Sequence, residues 1–349
     1  MSVPAAVVDV GWVNGLAAIR SLGRAGIRVL AIDHRPSALG FRSKYAERLL
    51  SPDPFEDEQR FVNFMRALGE VVVFPTHDDS LNAIARYADD LQVLAPFPEW
   101  DTLERVQSKR AQLEQAEAAG IDIPMLDPET FPVIVKPERS VEFKRRYRRQ
   151  AFRCETPSEL EEALAKTEEF GPIVQELIPG GDDTLYTVGS YLDADGRALG
   201  VFCGRKLRQT PPGIGTCRVG EAVWVQQVVD SALRLLRAFG YHGLSQVEFK
   251  RDARDCRYKL MEINPRLWQW HGLAAACGVD LPRIAYADLT GDAPREARMD
   301  GAGKRWAITL LPGESPALQR PPYVDAVFAV DDPKPALVHL ARVARSVVT

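Results

Sequence analysis

Over the first hundred residues, short apolar runs alternate with stretches in which apolar residues recur every three or four positions. AAVVDV at 5–10 is a strand that stops at Gly11, and residues 15–25 have helical spacing. IRVLAID (27–33), VVVFPT (71–76) and VLAP (93–96) are further strands, separated by helical patterns at 55–68 and 80–91. Strands spaced by such helices predict βαβ units and a parallel sheet, with ligands received at the strand C-termini. The proline-rich APFPEW (95–100) closes this unit as a linker.

The middle of the chain has a different pattern. Helical spacing runs over 102–120 and stops at Gly120. A strand, FPVIVKP (131–137), leads into a basic loop at 138–154, a helix at 158–170 and a strand at 172–180. From 184 onward the pattern is antiparallel. Two strands flank the turn Asp193-Ala194-Asp195-Gly196, and a second hairpin, 244–252 with 257–266, turns near Asp255. An amphipathic helix at 223–240 separates the hairpins. Three units are predicted: 1–98, 99–178 and 179–349.

Composition narrows the class. Of 349 residues 46% are hydrophobic and 26% charged, which excludes fibrous and largely disordered chains. Lys plus Arg number 44 against 48 Asp plus Glu, a net charge of −4, so a whole-molecule basic field for nucleic acid is absent. Five scattered cysteines without C-x-x-C spacing predict reduced thiols and a cytoplasmic location. MSVPAAVVDVGW lacks a basic leader, and the uncharged run 267–279 is too short to span a bilayer, so no membrane association is expected. Only 10 of the basic residues are lysines, against 34 arginines, so each lysine in a suggestive position carries weight.

The second hairpin holds the strongest chemical signal. A turn near Asp255 sets Glu248 and Glu262 almost opposite each other. Alternation puts Glu262 and Asn264 on one face, and Met261 and Ile263 on the other with Val247 and Phe249. Facing carboxylates need a counter-charge; with an amide oxygen they make a hard-oxygen set suited to Mg²⁺ bridging phosphates. Arg266 adds a cation two residues on. The same residues also fit a solvated hairpin face with incidental acids, and both readings stand at this point.

VEFKRD (247–252) followed by LMEINPR (260–266) resembles the carboxylate-bearing strands of the ATP-grasp enzymes. QELIPGGD (175–182) resembles their adenine hinge, Lys136 in VIVKP the lysine on the strand before it, and Lys109 the first ATP-binding lysine. These motifs keep their order across roughly 100–270. INPRLWQWHGLA and the D-D-P-x-P at 331–335 are most similar to carboxylate–amine-ligase-like members. The resemblance implies an ATP-grasp fold: an N-terminal parallel α/β domain, a small α+β lid and a C-terminal antiparallel sheet domain. It implies ATP and Mg²⁺, the metal on Glu248, Glu262 and Asn264. Lys109 and Lys136 would meet phosphate, Glu176, Leu177 and Ile178 the adenosine, and Asp183 the ribose. Arg266 and Lys206 would serve the transferring phosphoryl group. The implied reaction is ATP-dependent ligation through an acyl phosphate, with small-molecule carboxylate and amine substrates and, less often, a thiol. A small-molecule kinase and a nucleotide-binding regulator are the alternatives.

One segment departs from the resemblance. Many ATP-grasp proteins carry a glycine-rich flap after the strand of Lys136, whereas 137–153 has no glycine. It carries Arg139, Lys144, Arg145, Arg146, Arg148, Arg149 and Arg153 instead. It is expected to be a mobile flap that closes over triphosphate by charge. An acidic carrier at 138–153 and a homodimer are further partners left open, and nucleic acid ranks last. In the first unit, DVGWVNG (9–15) lacks dinucleotide spacing. In THDD (76–79), Asp78 or Asp79 is a candidate for a substrate amine, equally a helix start. Trp268, Trp270 and His271 are either pocket wall or core.

Overall fold

The computed structural model describes residues 2–138, 140–294, 296–308 and 323–348, with side chains as far as 341. Strands Ala5–Val8 (β1), Val29–Asp33 (β2), Ala46–Leu50 (β3), Val71–Pro75 (β4) and Val93–Leu94 (β5) form a parallel sheet, ordered β3-β2-β1-β4-β5. Every residue of β1, β2 and β4 is buried, because helices cover both faces. Val7, Ala31 and Phe74 pack on one side with Val13–Arg24 (α1). Val8, Ile32 and Val73 pack on the other with Glu58–Arg66 (α2) and Asp78–Arg86 (α3). The pattern misses β3, an edge strand whose AERLL is nowhere fully buried.

The helix predicted over 102–120 is two helices, Trp100–Gln107 (α4) and Lys109–Ala118 (α5). Ser108 divides them: its backbone is extended, and its Oγ accepts a 3.1 Å hydrogen bond from the Ala111 amide. Lys109 therefore opens a helix.

Val133–Pro137 (β6), Phe152–Cys154 (β7) and Pro172–Glu176 (β8) make an antiparallel sheet ordered β7-β6-β8. The expected basic loop is instead a helix, Ser140–Tyr147 (α6), followed by β7; Arg139 lies outside the described residues. Its fixed point is Phe143, fully buried, with ring centroids 5.0, 5.5 and 5.6 Å from those of Tyr147, Phe152 and Phe170. Pro157–Thr167 (α7) starts from Thr156, whose Oγ1 accepts from the Glu159 amide.

The large sheet uses Leu185–Leu192 (β9), Ala198–Thr210 (β10), Thr216–Ala222 (β11), Gly243–Arg251 (β12), Tyr258–Asn264 (β13), Ala297–Arg298 (β14), Arg305–Ala307 (β15) and Tyr323–Asp325 (β16). Its order is β13-β12-β9-β10-β11-β15-β16, with β14 against β10. Gln226–Ala238 (α8) covers one face; Gly272–Ala276 (α9) and Leu281–Leu289 (α10) pack with Trp268, Trp270 and the α1 side of the parallel sheet. Across β12 and β13, Glu248 pairs with Glu262 and Gln246 with Asn264, and a bulge follows Glu248. That bulge corrects the predicted alternation. Leu260 joins Ile263, Val247 and Phe249 in the core, while Met261 lines the cleft beside Glu262.

Lys334–Val348 (α11) follows Asp331 and Asp332, which fasten the tail to α1. Arg20 Nε donates to Asp332 Oδ2 at 3.0 Å, and Arg24 donates to both oxygens of Asp331. Among the described residues no helix is long and apolar enough to cross a membrane.

Candidate functional site

The register of three adjacent strands assembles the centre. Thr187 on β9 lies beside Glu248, and Glu248 faces Glu262. Glu248 Oε1 accepts from Thr187 Oγ1 at 3.1 Å and Gln246 Nε2 at 3.0 Å, and Lys206 Nζ lies 3.0 Å away. Asn264 Nδ2 donates to Glu262 Oε1 at 2.9 Å and to Gln246 Oε1 at 3.2 Å, which leaves Oδ1 only a 3.5 Å contact with Arg266. Burial pushes the Glu248 carboxyl up, partly offset by Lys206. In Glu262 the same burial is outweighed by Lys144, the Asn264 amide, Lys206 and Lys109, which hold it below the ordinary carboxylate range. Two carboxylates and an amide oxygen on adjacent strands fit a hard divalent cation. Among the described residues no cluster of three or more His, Cys, Asp and Glu side chains is set to hold a metal, so the amide completes this set.

A cleft opens between the small sheet and the large one. Ile134, Leu177, Ile178, Leu185 and Met261 give it apolar walls. Lys109, Lys136, Lys144, Lys206 and Lys250 line it as well, five of the chain's ten lysines. Burial pushes the Lys109 ammonium down to about 8, opposed by Glu262, and Lys109 donates to Ser140 Oγ. Lys136 is likewise lowered by burial, with Glu262 and Glu248 opposing. A flat apolar slot ending in lysines and facing acids suits a planar base with a polyanionic tail.

Beyond the acids lies a second cavity of about 400 Å³, reaching the parallel sheet. There Arg266 meets Asp78 through two hydrogen bonds of 2.5 and 3.2 Å, so the candidate phosphate cation already holds an N-terminal carboxylate. Asp79 is engaged too, 2.6 Å from Arg145. His77 lines the cavity, pushed down to about 4 mainly by burial and Arg266. Trp268 and Trp270 are both core and wall; the indole N–H of Trp268 has no hydrogen-bond partner.

Of two predicted nucleotide contacts, Glu176 and Asp183, only the first borders the cleft. Glu176 borders the cleft, but its carboxylate accepts from the Met125 amide at 2.9 Å, Lys259 at 2.8 Å and Arg254 at 2.5 Å. Asp183 is exposed and lines neither the cleft nor the cavity. Its neighbour Asp182 is the working residue of that turn, accepting from the Gln209 amide (2.8 Å) and Gly213 amide (2.9 Å) and so tying the hinge to the 210–215 loop. Sequence reasoning missed Thr187, Gln246, Ser140 and Lys250. The first two share a face with Glu248 at even spacing or cross-strand register, a signal available once β9 is set beside β12.

Residues 222–287 match the family described as carbamoyl-phosphate synthase L chain, ATP binding domain. The D-aspartate ligase of Enterococcus faecium (strain Aus0004) is 31% identical over 241 residues, 65% of this chain and 55% of that protein. The chain thus spans about half the length of the curated relative it matches. Biotin carboxylase from Campylobacter jejuni superposes with a TM-score of 0.69 at 15% identity, covering 86% of this chain and 74% of that one. The chain has the ATP-grasp fold. L-amino acid ligase from Bacillus licheniformis has the same ATP-grasp fold: TM-score 0.65, 17% identity, 85% of this chain and 78% of that one.

Proposed function

We propose that this ATP-grasp chain is an ATP-dependent ligase that joins a small-molecule carboxylate to an amine, releasing ADP and phosphate. The observation that carries the reading is the opposition of Glu248 and Glu262 across β12 and β13, ringed by Lys109, Lys136, Lys144 and Lys206. Adenine would lie against Leu177, Ile178 and Met261, and the phosphates would run toward the lysines. Glu248, Glu262 and Asn264 would hold Mg²⁺, which supplies charge neutralisation when bound. A carboxylate oxygen of the acid attacks the γ-phosphoryl group, the bond to ADP breaks, and an acyl phosphate forms. The amine then attacks the acyl carbon and expels phosphate. Lys206 and Lys109 stabilise charge on the transferring group, and closure of the cleft over the nucleotide would keep water from the acyl phosphate.

Two similar proteins are named for amino-acid ligation, so an amino acid is the first substrate class to test. The five free cysteines, four of them buried, support a cytoplasmic location. Docking of an acidic carrier at 138–153 has less support, because Arg145, Arg146 and Arg153 already meet Asp79, Glu169 and Glu155.

The test is ADP release with Mg-ATP and amino acids or small acids, singly and in pairs. Release that needs an acid and an amine together supports ligation. A phosphorylated product from one substrate alone makes the protein a kinase, and no Mg-ATP binding by the folded protein ends both readings.

A further inference from the structure

The helix α6 stands where the ATP-grasp resemblance leads one to expect a glycine-rich flap, and five of its eight residues do three jobs. Phe143 and Tyr147, one turn apart, seat it in the aromatic core of the small sheet. Ser140 and Lys144, also one turn apart, face inward: Ser140 receives Lys109, and Lys144 borders both the nucleotide cleft and the second cavity. Arg145 points the other way, toward the parallel sheet. Its guanidinium lies 2.6 Å from Asp79, 3.7 Å from Asp53 and 3.6 Å above the centre of the Phe55 ring.

Adjacent helical residues are separated by a fixed rotation of about 100°. A grip on Arg145 therefore sets where Lys144 points. The grip joins a carboxylate pair and an aromatic face to one planar cation, a combination that fixes orientation as well as distance. Lys144, by contrast, has no ion-pair partner among the described residues, although Glu262 and Asp78 are within its electrostatic reach. A cation held in place beside acids, without a carboxylate of its own, is a cation kept for a ligand.

We propose that Lys144 is a catalytic residue that contacts the phosphoryl group in transfer, and that Arg145 is its positioning residue, acting by latching α6 to Asp79, Asp53 and Phe55. The proposal rests on the ATP-dependent reading above. It makes one helix the meeting point of nucleotide and second substrate, since the latch borders the cavity that would take the acid.

The experiment is a double-mutant cycle on the full chain with Mg-ATP. Lys144→Met is expected to lower kcat/KM for ATP by about 10- to 100-fold, the loss of one charge-assisted contact, with Lys144→Arg recovering part of it. Arg145→Ala is expected to lower it by about 10-fold in the parent and to change it little in the Lys144→Met background. Arg145→Asp combined with Asp79→Arg is expected to regain activity over Arg145→Asp alone. Melting temperatures of the single variants should stay near the parent's, which separates positioning from loss of fold. An equal Arg145→Ala effect in both backgrounds, or an unaffected Lys144→Met, overturns the proposal while leaving the ligase reading intact. A parent that binds no Mg-ATP by calorimetry overturns both.

Discussion

The Arg20–Asp332 clamp and the Glu248–Glu262 centre are both buried and charged, yet they are built on opposite plans. In the clamp the charges are matched: Arg20 Nε meets Asp332 Oδ2, Arg20 Nη2 donates to the carbonyls of Val327 and Asp332, and Asp332 Oδ1 accepts from the Lys44 amide. At the centre two acids face each other and only Glu248 has an ion pair, with Lys206, while Glu262 and Lys144 have none among the described residues. A matched buried pair contributes to holding the fold once formed, and breaking it strands a charge. A partly matched cluster leaves electrostatic free energy for a ligand to collect.

That contrast breaks if the clamp is dispensable. Asp332→Ala should cost about 3–5 kcal/mol of stability by urea unfolding, because Arg20 is left buried without its counter-charge. A loss below about 1 kcal/mol would mean the tail is not structural. Glu262→Gln should behave oppositely. The side chains are isosteric; the change relieves the facing of Glu248 but forfeits the attraction of the surrounding cations, so stability should fall by less than in Asp332→Ala while turnover falls about 10²- to 10³-fold. Turnover equal to the parent's would remove Glu262 from the site. A finer probe is Lys136→Ala, which should weaken ATP binding by about 1.5–3 kcal/mol in a calorimetric titration. Unchanged affinity would return Lys136 to the role of an ordinary strand-end lysine.

Asp9 sharpens the comparison with the smallest effect per step. It is buried at a positive φ of 64°, Ser80 donates to it at 2.5 Å, and burial pushes its carboxyl from 3.8 to about 7. Between those values the folded chain keeps a proton that the unfolded chain has released. Asp9 therefore makes stability fall as pH rises from about 4 to about 7, by at most about 1.4 kcal/mol per unit. Asn tolerates the left-handed backbone, so Asp9→Asn should remove this slope and gain on the parent as pH rises. Parallel stability curves for the two proteins would show that Asp9 is charged in the fold.

Local pattern carried much of the fold. The facing of Glu248 and Glu262 was legible because a short turn fixes the register of two alternating strands. The bulge after Glu248 was not, and with it went the side on which Met261 sits. Ser108 splits a helix whose apolar spacing never falters, which only its capping chemistry betrays. The helix α6 was hidden in a segment of seven cations, although Phe143 and Tyr147 at i and i+4 were an available sign. The Arg266–Asp78 and Arg145–Asp79 pairs join residues 188 and 66 positions apart, and no single-sequence pattern links such distances.

The tie between α1 and the tail also has a consequence in time. Arg20 and Asp332 are 312 residues apart, so a ribosome working at about 5–20 residues per second makes the arginine roughly 15–60 s before its partner. During synthesis the first β-sheet can assemble around Ala5–Val8, but the guanidinium beside it has no counter-charge to bury against. The parallel-sheet unit of the nascent chain therefore waits, incompletely sealed, until the segment carrying Asp332 has been made.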